Sequence, residues 1–439
     1  MNKIIVLISF LLLTSCSFNK GSSFWTKQKT IIEENKNISK VFKKKEVTER
    51  EFNSDLLISL PDTIQQNINQ VNLQNNFGRI NDLKSIENRS NFKFSKIQEF
   101  EHFEPDLGID KKGFSFFDSK GNIIKFNINN EVIWKQNLYS KSEIKQKPKI
   151  TLFSNENYLV AFDNISKFYA LNSSSGEVLW KKNNINPFNS EVKVFKDKIF
   201  VVDLNNIIRC ISLKDGSEQW TFSGGNSLLK SHKRSSIVVK DDKVYFNNSL
   251  GDITALNIND GSLVWQKPTQ SSRIIENAFS LVSSDLVIND NSLYFSNNRN
   301  EFFALSLANG LIKWKQDINA SIRPLVVDKF IFTVSDEGYL FVIEKNSGNI
   351  IRITNVFDIF DKGKLNYFKK NKDKILPVGM MMGYNHIFLT TDNGRLLLID
   401  IKSGKTKSTI KLDNKKISKP FVFDNSLLVI KENSVVKLN

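Results

Sequence analysis

Apolar and polar residues alternate along most of this chain in short runs, and one stretch shows the unit they build. Residues 251–265, GDITALNINDGSLVW, read as two strands and a turn. Ile253 to Asn257 has the β-branched and apolar content of a strand. Asn259-Asp260-Gly261 is a tight-turn signal, because Gly takes the positive φ that hairpin turns need. The return strand ends on Trp265. One hairpin cannot bury its own faces, so it needs copies.

The copies are present. They are 121–134 GNIIKFNINNEVIW, 168–180 FYALNSSSGEVLW, 207–220 IIRCISLKDGSEQW, 301–314 EFFALSLANGLIKW, 338–352 GYLFVIEKNSGNIIR and 394–408 GRLLLIDIKSGKTKS. Asn130 stands where Gly stands elsewhere, and the last two copies carry Arg352 and Ser408 in place of Trp. Five of the six tryptophans, Trp134, Trp180, Trp220, Trp265 and Trp314, fall at this one position. The spacing is roughly 40 to 55 residues, and two more strand-like runs precede each hairpin, which predicts four-stranded antiparallel propeller blades. The Trp closes the outermost strand, where its ring can pack on the neighbouring blade and its N–H can reach a backbone acceptor.

The C-terminal run PFVFDNSLLVIKENSVVKLN supplies three strands and stops. Residues 91–97, NFKFSKI, could be the missing fourth, with Phe92 or Phe94 replacing Trp. The expected fold is therefore all-β: an eight-bladed propeller over 91–439, closed by pairing its N-terminal and C-terminal strands. Without that pairing the ring has seven blades.

The segment ahead of residue 91 differs. Residues 1–16, MNKIIVLISFLLLTSC, combine Lys3 with an apolar run too short to span a bilayer. This predicts a signal peptide over 1–15 and a lipid-modified Cys16, the small residues before the Cys resembling a lipobox. Several acyl chains would anchor a soluble domain where one is marginal. By resemblance to known lipoprotein sorting, Ser17 after the Cys favours the outer membrane. Residues 16–90 are polar and lack sustained alternation, which predicts a flexible tether. Cys210 is then left without a disulfide partner and reads as a small core residue.

The formal charge is +16. With a composition rich in Lys, Asn, Ile and Phe, it reads as a solvated basic surface. Nucleic-acid binding would suit the charge, but the targeting segment places the chain outside the cytoplasm.

The repeat A-L-[ND]-x₃-G-x₃-W resembles that of pyrroloquinoline-quinone-type propellers. With the lipobox, the late loss of Trp and the C-terminal run, the chain resembles the BamB family, propeller lipoproteins of the outer-membrane β-barrel assembly machinery. The resemblance implies a non-enzymatic scaffold on the periplasmic face of the outer membrane. Its implied partner is a BamA-like subunit, bound through that subunit's periplasmic domains. It also implies contact through loops 224–235 and 268–280, with Leu228, Leu229 and Lys230 matching the family's contact residues. The two acidic residues implied for the second loop are replaced by Ser280 and Val282.

Chemistry is sparse. His102, His232 and His386 have no metal-ligand spacing, and no GxSxG, HExxH or P-loop is present. Quinoprotein dehydrogenases commonly use adjacent cysteines, which are absent, so no cofactor is expected. A quinone-dependent periplasmic oxidoreductase and another envelope adaptor remain the alternative readings.

Overall fold

The computed structural model describes residues 49–52, 58–61, 72–80, 83, 86, 88–97, 100, 103–225, 233–269, 281–360 and 374–439. The expected signal peptide, Cys16 and most of the expected tether lie outside these residues.

Eight antiparallel sheets follow one another around a ring. Blade one comprises Gly108–Asp110, Gly113–Phe117, Asn122–Phe126 and Val132–Asn137. Blades two to seven occupy 150–183, 193–223, 237–267, 287–316, 325–355 and 377–411. In each, the four strands pair in chain order. First strands touch between blades one and two and successively from blade three to blade seven, so they line the axis. Inner strands are covered on both faces by neighbouring blades and are nearly continuously apolar, as in Phe330–Val334. Polar alternation survives only at the rim: in Val178–Asn183, Trp180 alone is buried.

Blade eight closes the ring as expected. Phe421–Phe423, Ser426–Lys431 and Ser434–Leu438 are completed by Arg89–Lys93, with Phe92 opposite Val435. Phe92 is fully buried and meets Phe114 edge-on at 4.9 Å, while Phe94 lies 4.2 Å from Phe116. Both aromatics thus fasten blade eight to blade one. This cluster carries the closure, since each buried Phe contributes roughly 1.5–3 kcal/mol.

Every fourth strand from blade one to blade seven contains a β-bulge. The pairing skips one residue immediately before the Trp position, such as Leu179 in blade two and Ile351 in blade six. A bulge turns the strand and re-aims the following side chain. Here it directs the Trp or its replacement toward the next blade.

The N-terminal lead does more than complete blade eight. Arg50–Glu51 adds a fifth strand to the outer edge of blade six. Residues 72–80 and Leu83 then pack on the ring. Lys193 donates to Asn72 O at 2.7 Å, Ile80 N–H donates to Met382 O at 3.0 Å, and Tyr384 N–H donates to Leu83 O at 3.1 Å. The boundary expected at residue 90 therefore falls inside a segment that packs on the ring.

Candidate functional site

The tryptophans form an interblade lock. Trp134, Trp180, Trp220, Trp265 and Trp314 each donate Nε1–H to a carbonyl in the third-to-fourth strand turn of the next blade, on Ser173, Leu213, Ile258, Leu307 and Lys345. The distances are 2.9–3.0 Å. The ring lies on the glycine of that same turn. A Cβ on Gly310 would sit 2.6 Å from Cε3 of Trp265, and the residue's φ of +69 lies in the left-handed region. Arg352 does the same work in blade six, its guanidinium donating to Lys402 O in the turn of blade seven. Ser408 has nothing to dock into, because no turn joins the third strand of blade eight to its fourth strand, Arg89–Lys93.

Leu228, Leu229 and Lys230, expected to meet a partner, lie outside the described residues, as do residues 270–280, His102 and His232. The described ends of the first loop are held at two places. Gly224 at the rim of blade three accepts from Asn248 and Gln266, each at 3.3 Å. Arg234, at the axial end, binds Asp106 at 2.5 Å.

Arg234 belongs to a charged cluster that the sequence reading did not find. The residue two positions before the first strand of a blade faces the channel mouth. In blades one, three, five, six and eight that residue is Asp106, Glu191, Asp285, Arg323 and Lys419. Arg323 joins Asp285 at 2.7 Å and Glu191 at 2.9 Å, while Lys419 lies 3.7 Å from Asp106. Burial by itself would raise these carboxyls. Arg323, Lys233 and Lys419 outweigh it at Asp285, and Arg234 and Lys419 outweigh it at Asp106. Glu191 is also burial-raised yet ends below its ordinary value, with Lys193 the strongest cation beside it. All three carboxylates therefore stay ionised and occupied by cations. Mixed signs on five distant residues leave no pattern that a single sequence could reveal.

Asn75, from the N-terminal lead, is bound into this cluster. It has a left-handed φ of +55, which Asn tolerates. Its Nδ2 lies 3.0 Å from Glu191 Oε2, 3.2 Å from Ser236 Oγ and 3.1 Å from Leu286 O, and its Oδ1 accepts from Lys193 at 2.6 Å. Phe77 lies beneath the Arg323 guanidinium at 5.1 Å. One side chain from the lead thereby links blades three, four and five.

The remaining candidate chemistry is dispersed. Cys210 is fully buried opposite Trp220, and burial pushes its thiol up to about 12, so it packs as a small apolar side chain. His386 begins the second strand of blade seven beside Phe388. Among the described residues no three His, Cys, Asp or Glu side chains gather as metal ligands, and no helix is long and apolar enough to cross a membrane.

Residues 119–354, from blade one through blade six, match the family described as outer membrane protein assembly factor BamB. The chain belongs to the BamB family. The outer membrane protein assembly factor BamB of Shewanella oneidensis is 20% identical over 295 residues, covering 62% of this chain and 69% of that relative. The crystal structure of BamB from Moraxella catarrhalis superposes with a TM-score of 0.59 at 13% identity, covering 80% of this chain and 97% of that one. The computationally designed Ika8 protein superposes nearly as well, with a TM-score of 0.58 at 11% identity over 79% of this chain and 99% of its own. At these identities the structural likeness carries the fold, and family membership rests on the sequence match.

Proposed function

We propose that this chain is a non-enzymatic scaffold of outer-membrane protein assembly, held at the periplasmic face of the outer membrane by lipid on Cys16. In this reading it binds the periplasmic domains of a BamA-like barrel-assembly subunit through the loop that contains Leu228, Leu229 and Lys230. The observation that carries the reading is the BamB family match across blades one to six. The channel supports it, since its carboxylates are engaged by Arg234, Arg323, Lys193 and Lys419 and by Asn75. A substrate carbonyl or a cofactor cation would have to displace those ion pairs.

The test is capture of the barrel-assembly subunit from membranes by the tagged full-length chain. Wild type should capture it, and the triple change Leu228→Ala, Leu229→Ala, Lys230→Ala should reduce capture by about tenfold or more, the loss of roughly 1.4 kcal/mol. Equal capture by the triple variant would remove this loop from the interface. Failure of wild type to capture the subunit would sink the scaffold reading. Cys16→Ala should move the chain out of the membrane fraction.

A further inference from the structure

The closing strand of blade eight, Arg89–Lys93, has two unlike faces. Phe92 turns toward blade one, where it meets Phe114. Arg89, Asn91 and Lys93 share the other face, because side chains alternate along a strand. That face looks toward blade seven. Arg89 Nη2 donates to Leu412 O at 3.4 Å. Val436 and Leu438, opposite Asn91 and Arg89, pack with Leu396 and Leu412. Ser408 leaves this junction without the indole that joins the earlier blades.

A cleft of about 340 Å³ opens on this face, a volume at the lower end of small-ligand sites. Arg89, Lys93 and Lys431 line it, and no carboxylate does among the described residues. Lys93 lies opposite Ser434, which lies opposite Lys431, so three adjacent strands set two lysines on either side of one buried serine. Asn91, Asn433 and the Ser434 hydroxyl add neutral donors. Lys431 is shared with Asp413 at 3.0 Å. Arg89 has only its long bond to Leu412 O, and among the described residues the exposed side chains of Lys93 and Asn91 have no partner. The turn beside the cleft is short. Glu432 and Asn433 alone separate the second and third strands, against three to five residues in blades one to seven. Glu432 is held outside the lining by Lys96 at 2.7 Å and Lys415 at 3.5 Å.

Cations left unspent beside neutral donors and a ring fit one kind of ligand. A carboxylate brings one charge and two oxygens. A phosphate monoester brings a charge of about −1.5 to −2 at pH 7 and three acceptor oxygens. Arginine matches it with two parallel bonds and lysine with a point charge. We propose that this cleft binds a phosphate monoester. Arg89 and Lys93 hold its charge, Lys431, Ser434 and the two amides complete its hydrogen bonds, and Phe94 meets the esterified carbon. A soluble glycerol phosphate and a monoester headgroup on a lipid surface carry the same chemistry. The site goes beyond the scaffold reading and needs neither the barrel-assembly subunit nor lipid on Cys16, so either can fail without the other.

The probe is glycerol 3-phosphate, titrated calorimetrically into the purified full-length chain at low salt. Binding should saturate, and acetate should not replace it. Arg89→Gln with Lys93→Gln, at an unchanged melting curve, should weaken binding about tenfold or more. Lys181→Gln with Lys182→Gln, on the outer strand of blade two, should bind as wild type does. A second reading needs no variant: glycerol 3-phosphate should slow acetylation of Lys93 and Lys431 in the wild-type chain and leave Lys182 unchanged. Absence of saturable binding, equal binding by the Arg89 and Lys93 variant, or acetylation unchanged at Lys93 and Lys431 overturns the proposal. So does an equal loss in both paired variants, which would mean diffuse charge rather than a site. Phosphatidic acid vesicles, compared with phosphatidylcholine alone, distinguish the source, using Cys16→Ala so that no acyl chain contributes. Co-sedimentation lost on changing Arg89 and Lys93 assigns a lipid headgroup; glycerol 3-phosphate binding without co-sedimentation assigns a soluble phosphate.

Discussion

One indole joins each of five neighbouring blade pairs, and the geometry explains why the partner is glycine. The turn must take a left-handed φ, and the tryptophan ring lies where a Cβ would stand. Both demands meet at Gly310, so Gly310→Ala should destabilise the ring by more than ~1 kcal/mol. A urea titration would show this as a lower midpoint with unchanged slope. Trp265→Phe is the complementary change. It removes the 2.9 Å bond to Leu307 O and should cost about 1 kcal/mol plus whatever packing is lost. Spacing made both residue types legible as repeat markers. It could not show that each glycine serves the tryptophan of the preceding copy, because periodicity describes a unit and not its neighbour. Arg352 was readable only as a missing Trp, whereas its planar guanidinium supplies the same donor to the next turn and also binds Glu51.

Strands repeat this lesson. The hairpins were visible because each has its turn chemistry in sequence, as at Asn257, whose side-chain oxygen accepts from Asn259 N–H at 2.8 Å. The closing strand was visible as well, because three C-terminal strands lacked a fourth and NFKFSKI was apolar enough to supply it. The observed strand is Arg89–Lys93, shifted toward the N-terminus because the Asn439 and Asn88 backbones extend the pairing. Phe92→Ala should cost about 3–5 kcal/mol, since its cavity would open inside an aromatic cluster with little freedom to collapse. A calorimetric melt should show one transition at lower temperature; an unchanged melt would mean the ring does not depend on this closure. Residues 72–80 and Leu83 were not legible in this way. Their partners are Lys193, Leu286, Met382 and Tyr384, spread over three blades. A polar segment whose contacts are all long-range carries no local periodicity.

The ring as an assembled object owes part of its cohesion to the charges at the channel mouth. Asp106, Glu191 and Asp285 each hold a proton less readily than in the unfolded chain. Each therefore lends stability above the ordinary carboxylate pKa of about 4, and lends progressively less as pH falls through its depressed value. The melting temperature should drop on acidification below about pH 4. Asp285→Asn should melt lower at neutral pH and lose less on acidification, because its charge is already gone. Parallel acid profiles for the two proteins would remove Asp285 from this role. The basic balance of +16 is not spent here, where cations and carboxylates meet. Part of it lies on the rim, in strands such as Val178–Asn183 and Ile312–Gln316 that carry lysine and no carboxylate.

Sequence alone determined what recurs locally: the hairpin, its turn glycine, its terminal tryptophan, and hence a ring of similar sheets. Those features are legible because each is encoded within a few consecutive residues and then repeated. Only the tertiary structure decided which side chains meet across the axis, that Asn75 is bound among them, and that the lead's own residues cover the edge of blade six. Such contacts join residues more than a hundred positions apart, and ring closure brings them together where no sequence period can announce it.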